Sequence, residues 1–288
     1  MPIIIILIIL TGIFAYTLYE LHFSLKHRGL VRIKTLDENL KLIKKDLITS
    51  DGIKISSWYI PVKNPKAVVI LVHGYKEVNA DKIRMLYHAE YLNKAGYSTI
   101  LIDLRSFGES DGNKVTLGVK EWRDVEAAYD YAKNLPENKN KKIGFLGKSM
   151  GGVTSIIVKG IAGKGDFIIA LTPYASFNSL FSFQLKQKGY YLPLFLPFLK
   201  LAAFFELGFN YEKYDVLKLI KKINVPLFVT SAKRDEIIPP ADAKEIYERA
   251  NNPKEFWESD TTHTTFANDP TELKKRVLNF LSKYIELS

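Results

Sequence analysis

The sequence has no cysteine and only five histidines among its 288 residues. Without a thiol there is no disulfide bond, no thiolate metal site and no cysteine nucleophile. No two histidines have a spacing typical of metal ligands, such as H-x-x-x-H, so we expect no dedicated transition-metal site. These absences exclude thiol chemistry and make a transition-metal centre unexpected.

Acidic residues are in the minority: 31 Asp and Glu stand against 41 Lys and Arg, which gives a formal net charge of +10 at pH 7. The cationic residues are spread along the chain, with short clusters at Lys44-Lys45, Lys141-Lys142 and Lys221-Lys222. This distribution is typical of a solvated surface, and attraction to an anionic membrane face is the alternative. No nucleic-acid-binding motif accompanies the charge, so we expect no nucleic-acid partner.

One long apolar run, residues 3–19, precedes the first charged side chain, Glu20. The run is about long enough to span a bilayer core. A cleaved signal peptide needs a basic start and a small-residue cleavage site, but no Lys or Arg precedes the run and Ala15-Tyr16-Thr17 is a poor site. We therefore predict an uncleaved, single-pass membrane anchor over residues 1–26. The positive-inside rule predicts that the rest of the chain is cytosolic, because the flanking basic residues follow the run, at Lys26, Arg28, Arg32 and Lys34.

After a predicted tether at residues 27–40, residues 41–288 are expected to form one globular domain. The turn sequence Ser50-Asp51-Gly52 separates two predicted strands, 46–49 and 53–60, and indicates an antiparallel hairpin. Apolar runs follow at 67–72, 97–102, 143–146, 167–171 and 225–231, and helical patterns occur at 81–95, 117–135, from 150 onward, 241–250 and 271–284. Apolar strands that alternate with helices predict an α/β fold with a mostly parallel central sheet flanked by helices.

Residues 176–214 interrupt this alternation. They are rich in Phe, Leu and Tyr and lie between two predicted sheet strands, so we predict a helical lid insertion over one end of the sheet. Four of its aromatic residues are candidates for lining an acyl-chain pocket, namely Phe177, Phe181, Phe195 and Phe198. Ordinary core packing between the lid helices is the alternative for them.

The pentapeptide Gly147-Lys148-Ser149-Met150-Gly151 matches G-x-S-x-G between a predicted strand and a predicted helix. In that context the motif is typical of a nucleophile elbow, a sharp turn that exposes the serine hydroxyl. Side chains two residues before and after the serine would collide in such a turn, so both positions need glycine. Ser149 is therefore the candidate nucleophile. The Lys148 side chain either faces solvent or attracts an anionic head group.

A serine nucleophile needs an adjacent base, and that base needs an orienting carboxylate. His263 is the only histidine after the elbow, and it lies in a Thr-rich loop at 261–265. Asp235 follows the predicted strand at 225–231, at the edge of the sheet where the elbow is expected. Ser149, Asp235 and His263 are therefore the candidate catalytic triad, with Glu236 and Asp260 as the alternative carboxylates.

An acyl-transfer intermediate also needs two preorganised N–H donors for its oxyanion. The N–H of Met150 directly follows the candidate nucleophile. The N–H of Tyr75 is the second candidate, because His73-Gly74-Tyr75 ends the predicted strand at 67–72 and Gly74 allows close backbone approach. His73 itself is expected to have a structural, hydrogen-bonded role.

Together these residues resemble the α/β-hydrolase superfamily, in particular the membrane-anchored Bem46-like serine hydrolases and their esterase and lipase relatives. The resemblance runs from Leu42 to the C-terminus and includes the chain order of Ser149, Asp235 and His263. Residues 103–110 are similar to the family's D-x-R-G-x-G-x-S loop, which supports the elbow and the oxyanion strand, with Ser106 where glycine is usual. The resemblance implies an α/β-hydrolase fold and the hydrolysis of carboxylic esters or thioesters without a cofactor.

A tethered domain with an apolar lid favours lipid-like acyl substrates, cleaved through a Ser-His-Asp acyl-enzyme mechanism. Two alternatives use the same residues differently. An acyltransferase would pass the acyl group to an alcohol or amine, and products formed with added acceptor alcohols would reveal it. A catalytically inert ligand-binding module would be inert toward serine-directed probes.

Overall fold

The computed structural model describes residues 2–26, 41–75, 82–208, 211–264 and 270–286. The predicted tether at 27–40 lies outside the described residues. The strands, in chain order, are β1 (Ile43–Ile48), β2 (Lys54–Ile60), β3 (Val68–Val72), β4 (Ser98–Ile102), β5 (Ile143–Lys148), β6 (Ile168–Leu171), β7 (Leu227–Ala232) and β8 (Lys254–Ser259).

Within the described ranges these strands form one eight-stranded sheet in the spatial order β1-β2-β4-β3-β5-β6-β7-β8. β1 pairs antiparallel with β2, and β2 pairs antiparallel with β4. All pairings among β3 to β8 are parallel. The predicted antiparallel start and mostly parallel sheet are therefore confirmed, and the carboxyl ends of six strands meet at one edge of the sheet.

The helices of the described chain are α1 (Pro2–Leu25), α2 (Leu86–Lys94), α3 (Trp122–Asn134), α4 (Met150–Ala162), α5 (Phe177–Gln187), α6 (Leu192–Leu207), α7 (Val216–Leu219), α8 (Pro240–Arg249) and α9 (Pro270–Leu281). They cover both faces of the sheet. Because successive residues of a strand point to opposite faces, Val68, Ile70 and Val72 of β3 belong to one core cluster with residues of α3, α4 and α8, whereas Val69 and Leu71 belong to a second cluster with residues of α2 and α9. This double coverage explains why β3 and its neighbours are continuous apolar runs.

The predicted helix at 117–135 begins later in the structure, at Trp122. Leu117 and Gly118 have positive φ values of 53° and 97°, which lie outside the helical region. The Glu121 carboxylate accepts hydrogen bonds from the backbone N–H groups of Thr116 at 2.6 Å and Gly118 at 2.8 Å. These bonds stabilise a buried loop that apolar spacing alone does not distinguish from a helix.

Three helices of the described chain lie between β6 and β7, and two of them, α5 and α6, lie in the stretch predicted to be a helical insertion. The chain enters α5 through a side-chain cap, since the N–H of Ser179 donates to Ser176 Oγ at 3.0 Å. α6 packs against the N-terminal helix as well as α5, and the rings of Phe198 and Phe14 lie 6.5 Å apart.

Among the described helices, α1 is the one long and apolar enough to cross a membrane, from Ile4 to Leu25. A membrane anchor and a signal sequence share these properties. The last turns of α1 are packed on the globular domain, because Leu21 and Leu25 are buried in its core. The backbones also meet there, where the N–H of Val115 donates to the Leu25 carbonyl at 2.9 Å.

Candidate active site

Ser149 lies at the sharp turn between β5 and α4, with φ of 53° and ψ of −120°. A residue with a side chain adopts such a conformation at a cost of about 1–3 kcal/mol, and only where its surroundings determine it. One such determinant is the hydrogen bond from the N–H of Ser149 to the Leu171 carbonyl at the end of β6, at 2.7 Å. The predicted elbow geometry is therefore present, and the Ser149 side chain projects from the carboxyl edge of the sheet.

The glycines around Ser149 allow contacts that a Cβ atom would prevent. A Cβ on Gly147 would lie 2.2 Å from the Gly151 carbonyl oxygen, and one on Gly151 would lie 2.1 Å from that of Val72. A Cβ on Gly74 would lie 3.3 Å from Ser149 Cβ. The loop after β3 thus runs directly beside the elbow, which is where an oxyanion donor has to be.

His263 and Asp235 form a buried pair, with 2.7 Å between His263 Nδ1 and Asp235 Oδ2. The other carboxylate oxygen, Oδ1, accepts the backbone N–H groups of Ile237 at 2.9 Å and Ile238 at 2.8 Å. Asp235 follows β7 and His263 follows β8, so both come from the carboxyl ends of parallel strands, at the same edge as the elbow.

The two alternative carboxylates have other contacts. Glu236 Oε2 accepts the backbone N–H of His263 at 3.0 Å, so it positions the loop without touching the imidazole. Asp260 is exposed and pairs with Arg234 Nε at 3.0 Å. The structure therefore gives the histidine ring one carboxylate partner among the three candidates, Asp235.

The predicted oxyanion loop, residues 73–75, is held from several sides. The imidazole of His73 accepts the Leu104 N–H at Nε2 (3.0 Å) and, with its proton on Nδ1, donates to the Gly74 carbonyl (2.8 Å). This is the structural role expected for His73. The phenol of Tyr75 donates to the Ser24 carbonyl in the last turn of α1, and its ring packs edge-on against Phe107.

Residues 103–110 connect this loop to the core. Ser106, which replaces the usual glycine, has a φ of 67°, so the position does require the left-handed conformation that glycine adopts readily. Asp103 Oδ2 pairs with the buried Lys82 ammonium at 2.5 Å. Arg105 pairs with Asp124 and Asp51, and its guanidinium holds the pKa of the Asp51 carboxyl well below the ordinary range.

The elbow residue Lys148 is half-buried and lies within electrostatic reach of a buried histidine, His88. Burial, together with a smaller effect of the Lys148 charge, lowers the pKa of His88 to about 3. His88 is therefore neutral, with Nδ1 at 3.0 Å from the Tyr91 hydroxyl. The proximity of Lys148 to a buried histidine was not expected from the sequence, which offered solvent or an anionic ligand as the surroundings of Lys148.

The four phenylalanines predicted for the acyl pocket divide into two groups. Phe177 and Phe181 are buried, and their rings lie 6.2 Å apart in the core. Phe195 and Phe198 on α6 are half-buried; Phe195 stacks on Tyr190 at 4.7 Å, and Phe198 faces α1. Phe177 and Phe181 thus pack within the core and Phe198 packs on α1, and the lining of an acyl-chain pocket by these four residues stays a prediction.

One residue that the sequence analysis missed connects the site to the insertion. The Asp242 carboxylate, in the first turn of α8, accepts the Ala175 N–H at 2.9 Å and the Ser179 hydroxyl at 2.5 Å. Burial raises the pKa of Asp242 to about 6. A carboxylate in a first helical turn is common as a partner of the helix dipole, so nothing in the local sequence marks this one as a long-range contact.

Comparison with known proteins finds relatives that share this fold. A family model described as serine aminopeptidase, S33, matches residues 63–177. The solved structure of the esterase Pf2001 from Pyrococcus furiosus superposes with a TM-score of 0.75, at 26% identity, over 91% of this chain and 98% of the esterase. The Arabidopsis thaliana alpha/beta hydrolase domain-containing protein WAV2 is 26% identical over 85% of this chain and 80% of WAV2. The chain belongs to the α/β-hydrolase superfamily.

Two further relatives of this α/β-hydrolase extend the comparison. The Bacillus subtilis protein YqkD is 27% identical over 80% of this chain and 76% of YqkD. A Saccharomyces cerevisiae protein, described as an uncharacterized membrane protein, is 24% identical over 71% of this chain and 66% of its own length. The family model and the esterase structure support hydrolase activity in general terms.

Proposed function

We propose that this α/β-hydrolase is a serine hydrolase that cleaves carboxylic esters or thioesters of lipid-like acyl chains, with Ser149, His263 and Asp235 as its catalytic triad. The observation that carries the proposal is the buried 2.7 Å contact between His263 Nδ1 and Asp235 Oδ2, at the sheet edge where the strained Ser149 turn also lies. A carboxylate in that position keeps the imidazole proton on Nδ1, which leaves Nε2 free to act as the base.

In the proposed first step, Ser149 Oγ forms a bond to the acyl carbon while its proton passes to His263 Nε2. The carbonyl electron pair moves onto oxygen, and the N–H groups of Tyr75 and Met150 stabilise the resulting oxyanion. When the intermediate collapses, the bond to the alcohol or thiol breaks, and the leaving group takes the proton from Nε2. A water molecule then repeats the sequence on the acyl-enzyme, which releases the carboxylic acid and regenerates Ser149.

The lipid-like substrate class is supported by the surroundings of α6. Phe198 of α6 packs on Phe14 of α1, the helix with the composition of a membrane span. An acyl chain that enters beside α1 would meet the apolar side chains of α6, among them Phe198. We propose that α1 anchors the enzyme and that the catalytic domain is cytosolic, as the charges after the apolar run predict.

The test of the serine hydrolase is labelling by a fluorophosphonate probe, which reacts with an activated serine. We expect strong labelling of the wild type, loss in Ser149→Ala and His263→Ala, and unchanged labelling in Ser282→Ala, which alters an exposed serine. Folded wild-type protein that does not react would contradict the proposal and favour a binding module.

The substrate class requires a second measurement, with p-nitrophenyl esters of increasing chain length, an acyl thioester and an aminoacyl p-nitroanilide. We expect long-chain esters to give a higher kcat/KM than acetate. Much faster cleavage of the short, soluble ester would contradict the lipid-like class, and cleavage of the anilide alone would replace the esterase by an aminopeptidase. A Ser288→Cys variant that reacts with an impermeant maleimide in intact cells would contradict the cytosolic orientation.

A further inference from the structure

The part of α1 that projects freely is short. Ile4 to Ile9 are all exposed, for example Ile8 at 65%. From Leu10 onward one face of the helix turns toward the domain, and Thr17, Leu21 and Leu25 are buried. With a rise of about 1.5 Å per residue, the exposed segment from Ile4 to Ile9 is about 9 Å long, against a hydrocarbon core of about 30 Å. α1 can therefore span a bilayer only if its packed portion lies inside the bilayer as well.

The packed portion of α1 has α6 beside it, running in the same direction. Phe14 lies against Phe198, and His22 Nδ1 lies 3.2 Å from Glu206 Oε1. Both pairs are separated by the same number of residues along each helix, so residues of α6 up to Glu206 lie at the same depth as residues of α1 up to His22. Whatever surrounds the second half of α1 also surrounds α6.

The outer face of α6 suits a lipid environment. Its exposed residues recur at helical spacing as Leu194, Pro197, Leu201 and Phe205, and the exposed fractions of Leu201 and Phe205 are 45% and 56%. A helix on the surface of a water-soluble protein normally carries polar residues on that face. The one charge between Leu192 and Phe205 is Lys200, whose long stem can carry its ammonium toward the head groups.

Charged side chains begin together at one level of this helix pair. Glu20 pairs with Lys188 at 3.1 Å, and the Glu206 carboxylate contacts both the His22 imidazole and the Lys114 ammonium. These groups lie at the depth of the last turns of α1 and come from α1, α6, the end of α5 (Lys188) and the loop before α3 (Lys114). Charged groups at one common depth are expected where the apolar core of a bilayer ends and the head groups begin.

We propose that α6 is immersed in the bilayer alongside α1, so that the stripe of Leu194, Pro197, Leu201 and Phe205 contacts lipid acyl chains. The occupant of this surface is bilayer hydrocarbon. Charge at the level of Glu20 to Lys26 sets the depth, and the end of α6 nearest Glu206 lies at the head-group boundary. This placement rests on the membrane anchor proposed for α1 and not on the proposed acyl substrate, and it means that two helices hold the hydrolase domain against the membrane.

The absence of cysteine makes the depth of α6 directly measurable. Single cysteines replace Leu201 on α6, Ile8 on α1 and Lys94 on α2, and each full-length protein is labelled with an environment-sensitive NBD fluorophore. Lys94 is an exposed control at the end of α2, which leads into the amino end of β4, the sheet edge opposite the active site. The proteins are reconstituted into phosphatidylcholine–phosphatidylglycerol vesicles with or without brominated acyl chains, which quench only fluorophores within the hydrocarbon.

We expect the labels at Ile8 and Leu201 to be blue-shifted and to lose most of their emission to brominated lipid, whereas the Lys94 label keeps its emission. A Leu201 label that behaves like Lys94 would overturn the proposal. So would a Leu201 label that is blue-shifted without quenching, because a second copy or another protein surface would then cover α6. An unquenched Ile8 label would show that α1 does not span the bilayer, and the proposal for α6 would then fail as well. Phe205→Cys repeats the measurement on the same stripe, and circular dichroism checks folding, so the result does not depend on catalysis.

Discussion

Replacing Asp235 by asparagine tests the histidine pair most sharply, because two backbone groups dictate how the new side chain must sit. Oδ1 accepts the N–H groups of Ile237 and Ile238 at 2.9 and 2.8 Å. In Asp235→Asn the amide oxygen has to stay at that position, since only oxygen accepts those bonds. The NH2 group then faces His263 Nδ1 in place of Oδ2. Nδ1 must become the acceptor, so the proton moves to Nε2, the atom that is proposed to take the proton of Ser149.

We expect this wrong tautomer to lower kcat by about 10⁴-fold, the loss typical of such a substitution in a serine triad, which is about 5.5 kcal/mol of barrier. The stability should change little, because all three hydrogen bonds keep a partner. Asp235→Ala is the informative contrast. It leaves the buried N–H of Ile238 unsatisfied, at a cost of about 1–3 kcal/mol, together with the partly buried N–H of Ile237, and should lower the Tm as well as the activity.

The assay is kcat for the best p-nitrophenyl ester together with the rate of fluorophosphonate labelling, and differential scanning calorimetry gives the Tm. Glu236→Gln is the matched control, since Glu236 contacts the backbone N–H of His263 and leaves the ring alone. We expect it to lower kcat by less than about tenfold, the cost of one net hydrogen bond. A loss below tenfold in Asp235→Asn, or an equal loss in Glu236→Gln, would refute the assigned role of Asp235.

Three further predictions follow from particular contacts. Burial raises the pKa of Asp242 from 3.8 to about 6, so between these pH values the folded protein binds a proton that the unfolded chain has released. As pH rises through this window, the wild type should lose about 3 kcal/mol of stability relative to Asp242→Asn, and parallel pH profiles in urea denaturation would contradict this. Gly151→Ala places a Cβ 2.1 Å from the Val72 carbonyl oxygen and should cost about 1–3 kcal/mol, seen as a lower Tm with weaker probe labelling; a wild-type Tm would contradict the close contact. Tyr75→Phe loses the bond to Ser24 and should cost about 0.5–1.5 kcal/mol of stability, whereas Tyr75→Pro, which removes the N–H, should lower kcat about 10²–10³-fold; similar kcat values for the two variants would contradict the oxyanion role.

Local patterns in the sequence were sufficient for much of the fold. The apolar runs that became β3 to β7 were recognisable because strands buried on both faces need no polar alternation. The elbow was recognisable because Gly147 and Gly151 are required by close contacts within a few residues of Ser149. Both signals arise from interactions that are short in the sequence or uniform along an element.

Other features depend on residues that are distant in the chain. From the sequence, Asp235, Glu236 and Asp260 were all candidates for the carboxylate partner of His263. The tertiary structure showed that each of the three has a different contact. The loop before α3 was predicted as helix, because apolar spacing does not reveal that the Glu121 carboxylate accepts backbone N–H groups there.

The same distinction applies to the N-terminal segment. Its apolar length was sufficient for predicting an anchor, because the requirement for spanning a bilayer is a property of one continuous run. That its last turns are buried against the domain, run alongside α6 and contact Tyr75 could not be read from the run, since those partners lie 51 to 184 residues away in the chain. The sequence by itself thus determined which groups are available for chemistry and for the membrane, and the tertiary structure decided which of them meet, because only folding brings distant segments within hydrogen-bonding distance.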